Sequence, residues 1–153
     1  MTSERKPTVL FLCTGNSARS QMAEAILRQR AGDRFEVHSA GLAPVPIHPL
    51  TVRVLEEAGY DLGGQRSRSV RGYFGSMLIT HAISVCDAAA EEGPRLLPGA
   101  LHLHPWPFPD PAAVEGGEAA RLEAFRAARA AIEQRVDAWL REDGALATNA
   151  QMP

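Results

Sequence analysis

Residues Val9-Leu10-Phe11-Leu12 form a continuous apolar run rich in strand formers, flanked by Pro7 and Gly15. A strand without a polar face must be covered on both sides, which is the condition of a strand inside a parallel sheet. From Ser20 the period changes. Met22, Ala23, Ile26 and Leu27 recur at helical spacing, with Ser20 placed to cap the helix and Glu24 near its positive end. Strand, tight loop and helix thus follow one another within one short segment.

The rest of the chain repeats the alternation. Phe35 to Ser39 alternates and ends at Gly41, a second strand. Pro44, Pro46 and Pro49 mark a loop, after which Val52, Leu55 and Ala58 make one helical face closed by Gly59. Leu78 to Cys86 reads as a third strand and Ala100 to Trp106 as a fourth, with Gly93, Pro94, Pro98, Pro105, Pro107, Pro109 and Pro111 enforcing irregular loops between and after them. Leu122, Phe125, Ile132, Val136 and Trp139 share one face of a last helix over about 117–142. The expected fold is α/β: a three-layer α/β/α domain on a four-stranded parallel sheet. It spans 8–142, with a flexible N-terminus over 1–7 and a flexible tail over 143–153. Ligands of such folds bind beyond the carboxyl ends of the strands, so the loop after the first strand is the first place to look.

Composition narrows the function classes. Sixteen Lys and Arg against 18 Asp and Glu leave a net charge of -2, with no electrostatic footprint for nucleic acid or an anionic membrane. Val9 to Cys13 is too short for a signal-peptide core or a membrane span, so a cytoplasmic protein is expected. Two cysteines far apart in sequence, Cys13 and Cys86, are not a secreted disulfide framework.

The loop reads Cys13-Thr14-Gly15-Asn16-Ser17-Ala18-Arg19-Ser20. Its five residues between cysteine and arginine can curl so that backbone N–H groups from Thr14 to Arg19 point inward at a helix N-terminus, a nest for a tetrahedral oxyanion. Gly15 and Asn16 tolerate the positive φ that such a curl demands. Arg19 supplies a bidentate fork. Cys13 lies beneath, where the same donors favour its thiolate. A bland explanation competes: Cys13 as a small buried hydrophobe and Gly-Asn-Ser as an ordinary turn. The spacing alone is weak, but between a buried strand and a helix it is strong.

These residues carry a resemblance. The run from Val9 through Glu24 resembles the opening of the low-molecular-weight tyrosine phosphatase superfamily, and specifically its arsenate reductase branch. Ser39-Ala40-Gly41, Ile83 to Asp87, Pro107-Phe108-Pro109-Asp110-Pro111 and the final Trp139-Leu140 are similar to that branch in order and spacing. The resemblance implies Cys13 as nucleophile, Arg19 as oxyanion clamp, Asn16 as the residue holding the loop open, Ser20 as a hydroxyl supporting the thiolate and Asp110 as general acid. Asp110 also has a physical case, since it lies in a proline-stiffened loop on the ligand side and an oxygen leaving group needs a proton. As a bland alternative, Asp-Pro starts a turn.

Arsenate is nearly isosteric with phosphate, so Cys86 has to separate reductase from phosphatase. A reductase needs a second thiol to resolve the Cys13–arsenic adduct, and Cys86 ends the third strand on the same side as Cys13; otherwise it is a buried structural thiol. By resemblance, Gln21 stands where phosphatases of the superfamily usually have proline, and Ala112-Ala113 replaces their usual tyrosine. The third redox cysteine of the best-known reductases is here Gly93. The reading is therefore reduction of arsenate to arsenite with Cys86 as resolving thiol and a thioredoxin- or glutaredoxin-type reductant or small thiol as partner. The alternative is a phosphatase hydrolysing phosphate monoesters, and a third reading is an oxyanion-binding module without turnover. No cofactor is implied. Some relatives bind structural potassium with residues resembling Asn16, Glu24 and Ser39; Arg68 occupies the place of their further carboxylate, so no ion is expected. His81, His102 and His104 are a weak metal signal, and no metal is assigned. Trp106 and Phe108 are either a wall above the anion site or satellite core.

Overall fold

The computed structural model describes residues 6–151 apart from Phe74 and Ser76, without the side chains of Pro94 and 143–151. Residues 1–5, 152 and 153 lie outside the described residues, and with them most of the expected flexible N-terminus and the end of the expected tail. Strand β1 (Thr8–Cys13) leads into α1 (Arg19–Ala31), followed by β2 (Glu36–Gly41), α2 (Pro49–Glu57), β3 (His81–Ser84), α3 (Asp87–Leu96), β4 (His102–Pro105) and α4 (Glu118–Gln151). All pairings are parallel, in the order β2-β1-β3-β4. The chain steps from β1 to β2 on one side and then to β3 on the other. The switch point therefore lies between the carboxyl ends of β1 and β3, where crevices open in such sheets.

The apolar run behaves as its composition requires. Val9, Leu10, Phe11 and Leu12 are all at 0% exposure. Phe11 meets Trp106, which in turn meets Trp139 of α4, whereas Leu12 lies toward Gly93 of α3. Alternate residues of a strand point to opposite faces, so α3 and α4 cover opposite sides of the sheet. On α4 the buried positions are Leu122, Phe125, Ala128, Ile132, Val136 and Trp139, the stripe expected from period. Phe125 is fully buried and packs its ring 4.7 Å from that of His48. Phe125→Ala is expected to cost about 3–5 kcal/mol of unfolding free energy through lost transfer energy and a residual cavity. Urea denaturation measures it, and a loss below about 1 kcal/mol would mean that the site collapses fully.

Several local expectations differ from the structure. The helical backbone of α4 continues to Gln151, into the segment expected to be a tail. On α2 the buried face is Thr51, Val54 and Leu55 instead of Val52, Leu55 and Ala58, because α2 is oriented by α1 and α4 rather than by its own apolar count. Helix α3 stands where Gly93 and Pro94 suggested loop. Ala88, Ala89, Ala90, Glu91 and Glu92 favour helix, and Pro94 forfeits the one bond it would give to Ala90 O in a helix held by its packing on β1, β3 and β4. Ser20 does not cap α1: Ala18 holds the N-cap position with no side-chain cap bond.

Candidate active site

Each carbonyl of the loop after β1 is tied to a neighbour. Cys13 O accepts from Leu42 N, Thr14 O from Ala43 N and Gly15 O from Val45 N, at 2.8–3.0 Å. Asn16 O accepts from Gln21 Nε2 at 3.1 Å, Ser17 O from His48 N at 3.0 Å, and Ala18 O from Met22 N at 2.9 Å. In a trans peptide N–H and C=O point in opposite directions, and no peptide bond among the described residues is cis. Holding the carbonyls of residues 13–18 to partners outside the curl turns the N–H groups of residues 14–19 to its concave side. That is a curl of the shape an oxyanion nest requires, at the start of α1. The positive φ falls on Asn16 alone, at 51°, and not on Gly15. The glycine that the loop requires is Gly41, where a Cβ would stand 2.8 Å from Thr14 O and 3.0 Å from Asn16 N.

Asn16 is fully buried with every amide valence used. Its Nδ2 donates to Ser20 Oγ at 2.8 Å and Ser39 Oγ at 2.9 Å, and its Oδ1 accepts from Arg68 N at 2.8 Å and Gln21 Nε2 at 3.1 Å. The Ser20 hydroxyl, expected beside the thiolate, is thus an acceptor for Asn16, and no Ser20–Cys13 bond is formed among the described residues. Ser39 donates to Glu24 at 2.6 Å, and Glu24 pairs with Arg28, which also donates to Val37 O at 2.7 Å. These residues do not fit a structural cation, because the Glu24 carboxylate already carries a guanidinium and a hydroxyl. That guanidinium belongs to Arg28; Arg68 contributes its backbone N–H, and its side chain is exposed.

Arg19 Nη1 donates to Phe108 O at 2.9 Å, and Nη2 lies 3.8 Å from Asp110 Oδ2. Its Nε is buried without a partner among the described residues. Asp110 serves two ends: Oδ1 accepts from Ala112 N at 3.0 Å and caps the 3-10 turn Pro111–Ala113, while Oδ2 faces Arg19. A cavity of about 400 Å3 lies here, lined by Arg19, Asp87, Pro107, Phe108, Pro109 and Asp110. A larger one of about 670 Å3 lies along α1 by Glu24, Arg28 and Gln65, away from both cysteines. Trp106 is core, 3% exposed and under the Arg135 guanidinium, whereas Phe108 offers the site its carbonyl. His81 bonds His104 at 3.0 Å and stacks on His102, and among the described residues no group of three His, Cys, Asp or Glu is arranged to hold a metal.

Cys86 lies just past β3, at the N-cap of α3 and across the switch point from Cys13. The two thiols, 7% and 4% exposed, lie near enough to shift each other's ionisation, and Thr14 Oγ1, on the residue after Cys13, lies 3.5 Å from Cys86 Sγ. Cys86 is drawn down to about 5, first by the bond from the Cys13 thiol and then, against the cost of burial, by Thr14, the Ala89 backbone and Arg19. Cys13 is pushed up by that same bond and by burial, with Arg19 and the Thr14 backbone opposing. The opposite shifts of two neighbouring thiols are properties of the pair, a low first and a high second ionisation.

A parallel α/β sheet with a cysteine–arginine oxyanion loop at its switch point defines a class: cysteine-dependent phosphatases and their relatives. The sequence profile of the low molecular weight phosphotyrosine protein phosphatase family matches residues 8–151, and the chain belongs to that family. It is 37% identical over 135 residues to an arsenate reductase of Bacillus licheniformis, covering 86% of this chain and 93% of that one. It is 35% identical over 131 residues to an arsenate reductase of Bacillus subtilis, covering 84% and 91%. Among solved structures, an arsenate reductase in the phosphate-binding state superposes with a TM-score of 0.74 at 28% identity, covering 89% of this chain and 98% of that one. An arginine phosphatase from Geobacillus stearothermophilus shares the fold, with a TM-score of 0.74 at 24% identity over 96% of this chain and 98% of its own. No described helix is long and apolar enough to cross a membrane.

Proposed function

We propose that this chain reduces arsenate to arsenite by a two-thiol route. Arsenate sits in the nest made by the N–H groups of residues 14–19 and by Arg19. Cys13, whose proton passes to the neighbouring Cys86 thiolate and on to solvent as the anion binds, attacks arsenic as its thiolate, and Asp110 delivers the proton with which one oxygen leaves as water. Cys86 thiolate then attacks Cys13 Sγ. The S–S bond forms as the sulfur–arsenic bond breaks, its electron pair stays on arsenic, and arsenite departs as As(III). The Cys13–Cys86 disulfide is returned to two thiols by a dithiol protein of thioredoxin or glutaredoxin type, or by a small thiol. With Gly93 in α3 there is no third cysteine to pass the disulfide to, so the external reductant meets this bond directly.

The observation that carries the reading is that Cys86 Sγ lies 3.5 Å from Oγ1 of Thr14, the residue next to Cys13, which makes the two buried thiols neighbours at the switch point. A phosphatase finishes with water and has no use for the second. The paired assay that tests it is arsenate-driven oxidation of a coupled thioredoxin beside hydrolysis of an aryl phosphate. Aryl phosphate turnover with no arsenate-driven oxidation by any of the three reductant types would replace the reductase with a phosphatase. Asp110→Asn is expected to lower kcat for arsenate by about 100-fold while KM moves less than about threefold, since it removes a proton donor and not an oxyanion contact. Steady-state kinetics read the split, and an unchanged kcat would remove Asp110 from the chemistry.

A further inference from the structure

We infer that Gln21 is a positioning residue for oxyanion binding: its buried carboxamide, oriented by Gln65, fixes the Asn16–Ser17 peptide so that the Ser17 N–H faces the anion. The inference rests on the loop being the oxyanion site. Asn16 stands at φ 51°, a left-handed conformation that asparagine tolerates but that its surroundings must select. Gln21, at 0% exposure, supplies that constraint from the third position of α1. Its Nε2 lies 3.1 Å from each of three acceptors, Asn16 O, Asn16 Oδ1 and Arg66 O, so two N–H protons are shared among them. Two of these are main-chain carbonyls that can only accept, which settles which end of the amide is nitrogen.

The bond to Asn16 O is the one that matters for the anion. It holds that carbonyl away from the nest and therefore holds the Ser17 N–H toward it. Other loop carbonyls are held by backbone N–H groups; among the described residues, this one alone of 13–18 has a side-chain amide as its sole donor. Gln65 orients the amide by donating from Nε2 to Gln21 Oε1 at 2.7 Å, and its own Oε1 accepts from Arg28 Nη1 at 3.0 Å. Without the amide, Asn16 O loses its partner and the peptide is free to rotate, withdrawing one anion donor.

The test is phosphate binding, titrated calorimetrically in the reduced protein, so that it reads the nest without arsenate turnover. Gln21→Met keeps length and apolar volume; its dissociation constant for phosphate is expected to rise about tenfold or more, the equivalent of one lost charge-assisted hydrogen bond. Gln65→Met, at a half-buried position, is expected to weaken binding about threefold by releasing the amide. Gln21→Glu adds a signature that a filler of space would not give: weak binding at pH 8, with the ratio to wild type recovering at pH 5, where a protonated carboxyl again donates. If both methionine variants fold and bind phosphate within twofold of wild type, the inference is overturned. If Gln21→Met does not fold, Gln65→Met decides by the same criterion. Wild type that binds no phosphate would instead overturn the oxyanion loop itself, and with it the function proposed above.

Discussion

Cys13→Ser is expected to lower arsenate-dependent turnover by on the order of 10^4-fold while phosphate affinity stays within a few-fold. A hydroxyl in place of the thiol keeps nearly the same volume at a 4% exposed site and leaves the bond from Leu42 N to the residue's carbonyl intact. The nest, made of main-chain N–H groups, is therefore preserved. The loss is chemical. A serine hydroxyl titrates far above a thiol, and nothing beside it is a base strong enough to ionise it. An oxygen bound to arsenic also offers Cys86 no sulfur to attack. Coupled oxidation of reductant measures turnover and calorimetry measures phosphate. Turnover within tenfold of wild type would remove Cys13 from the reaction.

Cys86→Ser is expected to suppress multiple-turnover arsenate reduction by about 10^3-fold, since resolution of the adduct needs a thiolate. It also leaves a signature in pH. Between about 5 and the ordinary thiol value of 9.0 the folded pair holds one proton where two unfolded thiols hold two. The unfolded chain binds more protons there, so this contribution to stability rises with pH across that window and is lost as pH falls through about 5. Above 9.0 the raised ionisation of Cys13 acts in the opposite sense, because unfolded thiols release a proton that the folded site retains. In Cys86→Ser the rise between those limits is expected to flatten, and alkylation of Cys13 to shift to higher pH than the first ionisation of the wild-type pair. Urea midpoints from pH 4 to 9 and iodoacetamide rates measure both. A variant with the wild-type alkylation profile would show that the two sulfurs titrate independently, and the thiol contact would cease to support the reductase.

Much of the site was legible because its parts lie in one segment. Cys13, Asn16 and Arg19 are placed by the short turn between a strand with no polar face and the helix that follows, a relation visible in periodicity alone. The stripe on α4 was legible for the same reason. What escaped is what tertiary contact decides. Helix α3 was hidden by Gly93 and Pro94, whose cost is offset by the packing of the helix on one face of β1, β3 and β4. Ser20 and Gln21 looked like a cap and a marker of the branch, yet their side chains turn back to Asn16. The counter-charge to Glu24 comes from Arg28, one helical turn on, a pairing available to the i, i+4 rule but overlooked beside the cations of the loop at 66–71. The contact between Cys13 and Cys86, 73 positions apart, depends on strand order, which periodicity does not give.

The outward anchoring of the loop carbonyls has an evolutionary consequence. A recognition surface made of peptide N–H groups cannot be erased by changing the side chains at positions 17 and 18, so on the proposed function the reception of tetrahedral anions is a property of the chain path itself. On the function proposed above, what happens to the anion afterwards is decided by a few side chains around it, such as the one at position 86. Affinity is thereby inherited while reaction type is free to diverge, and hydrolases and reductases can arise within one lineage without the binding step being reinvented.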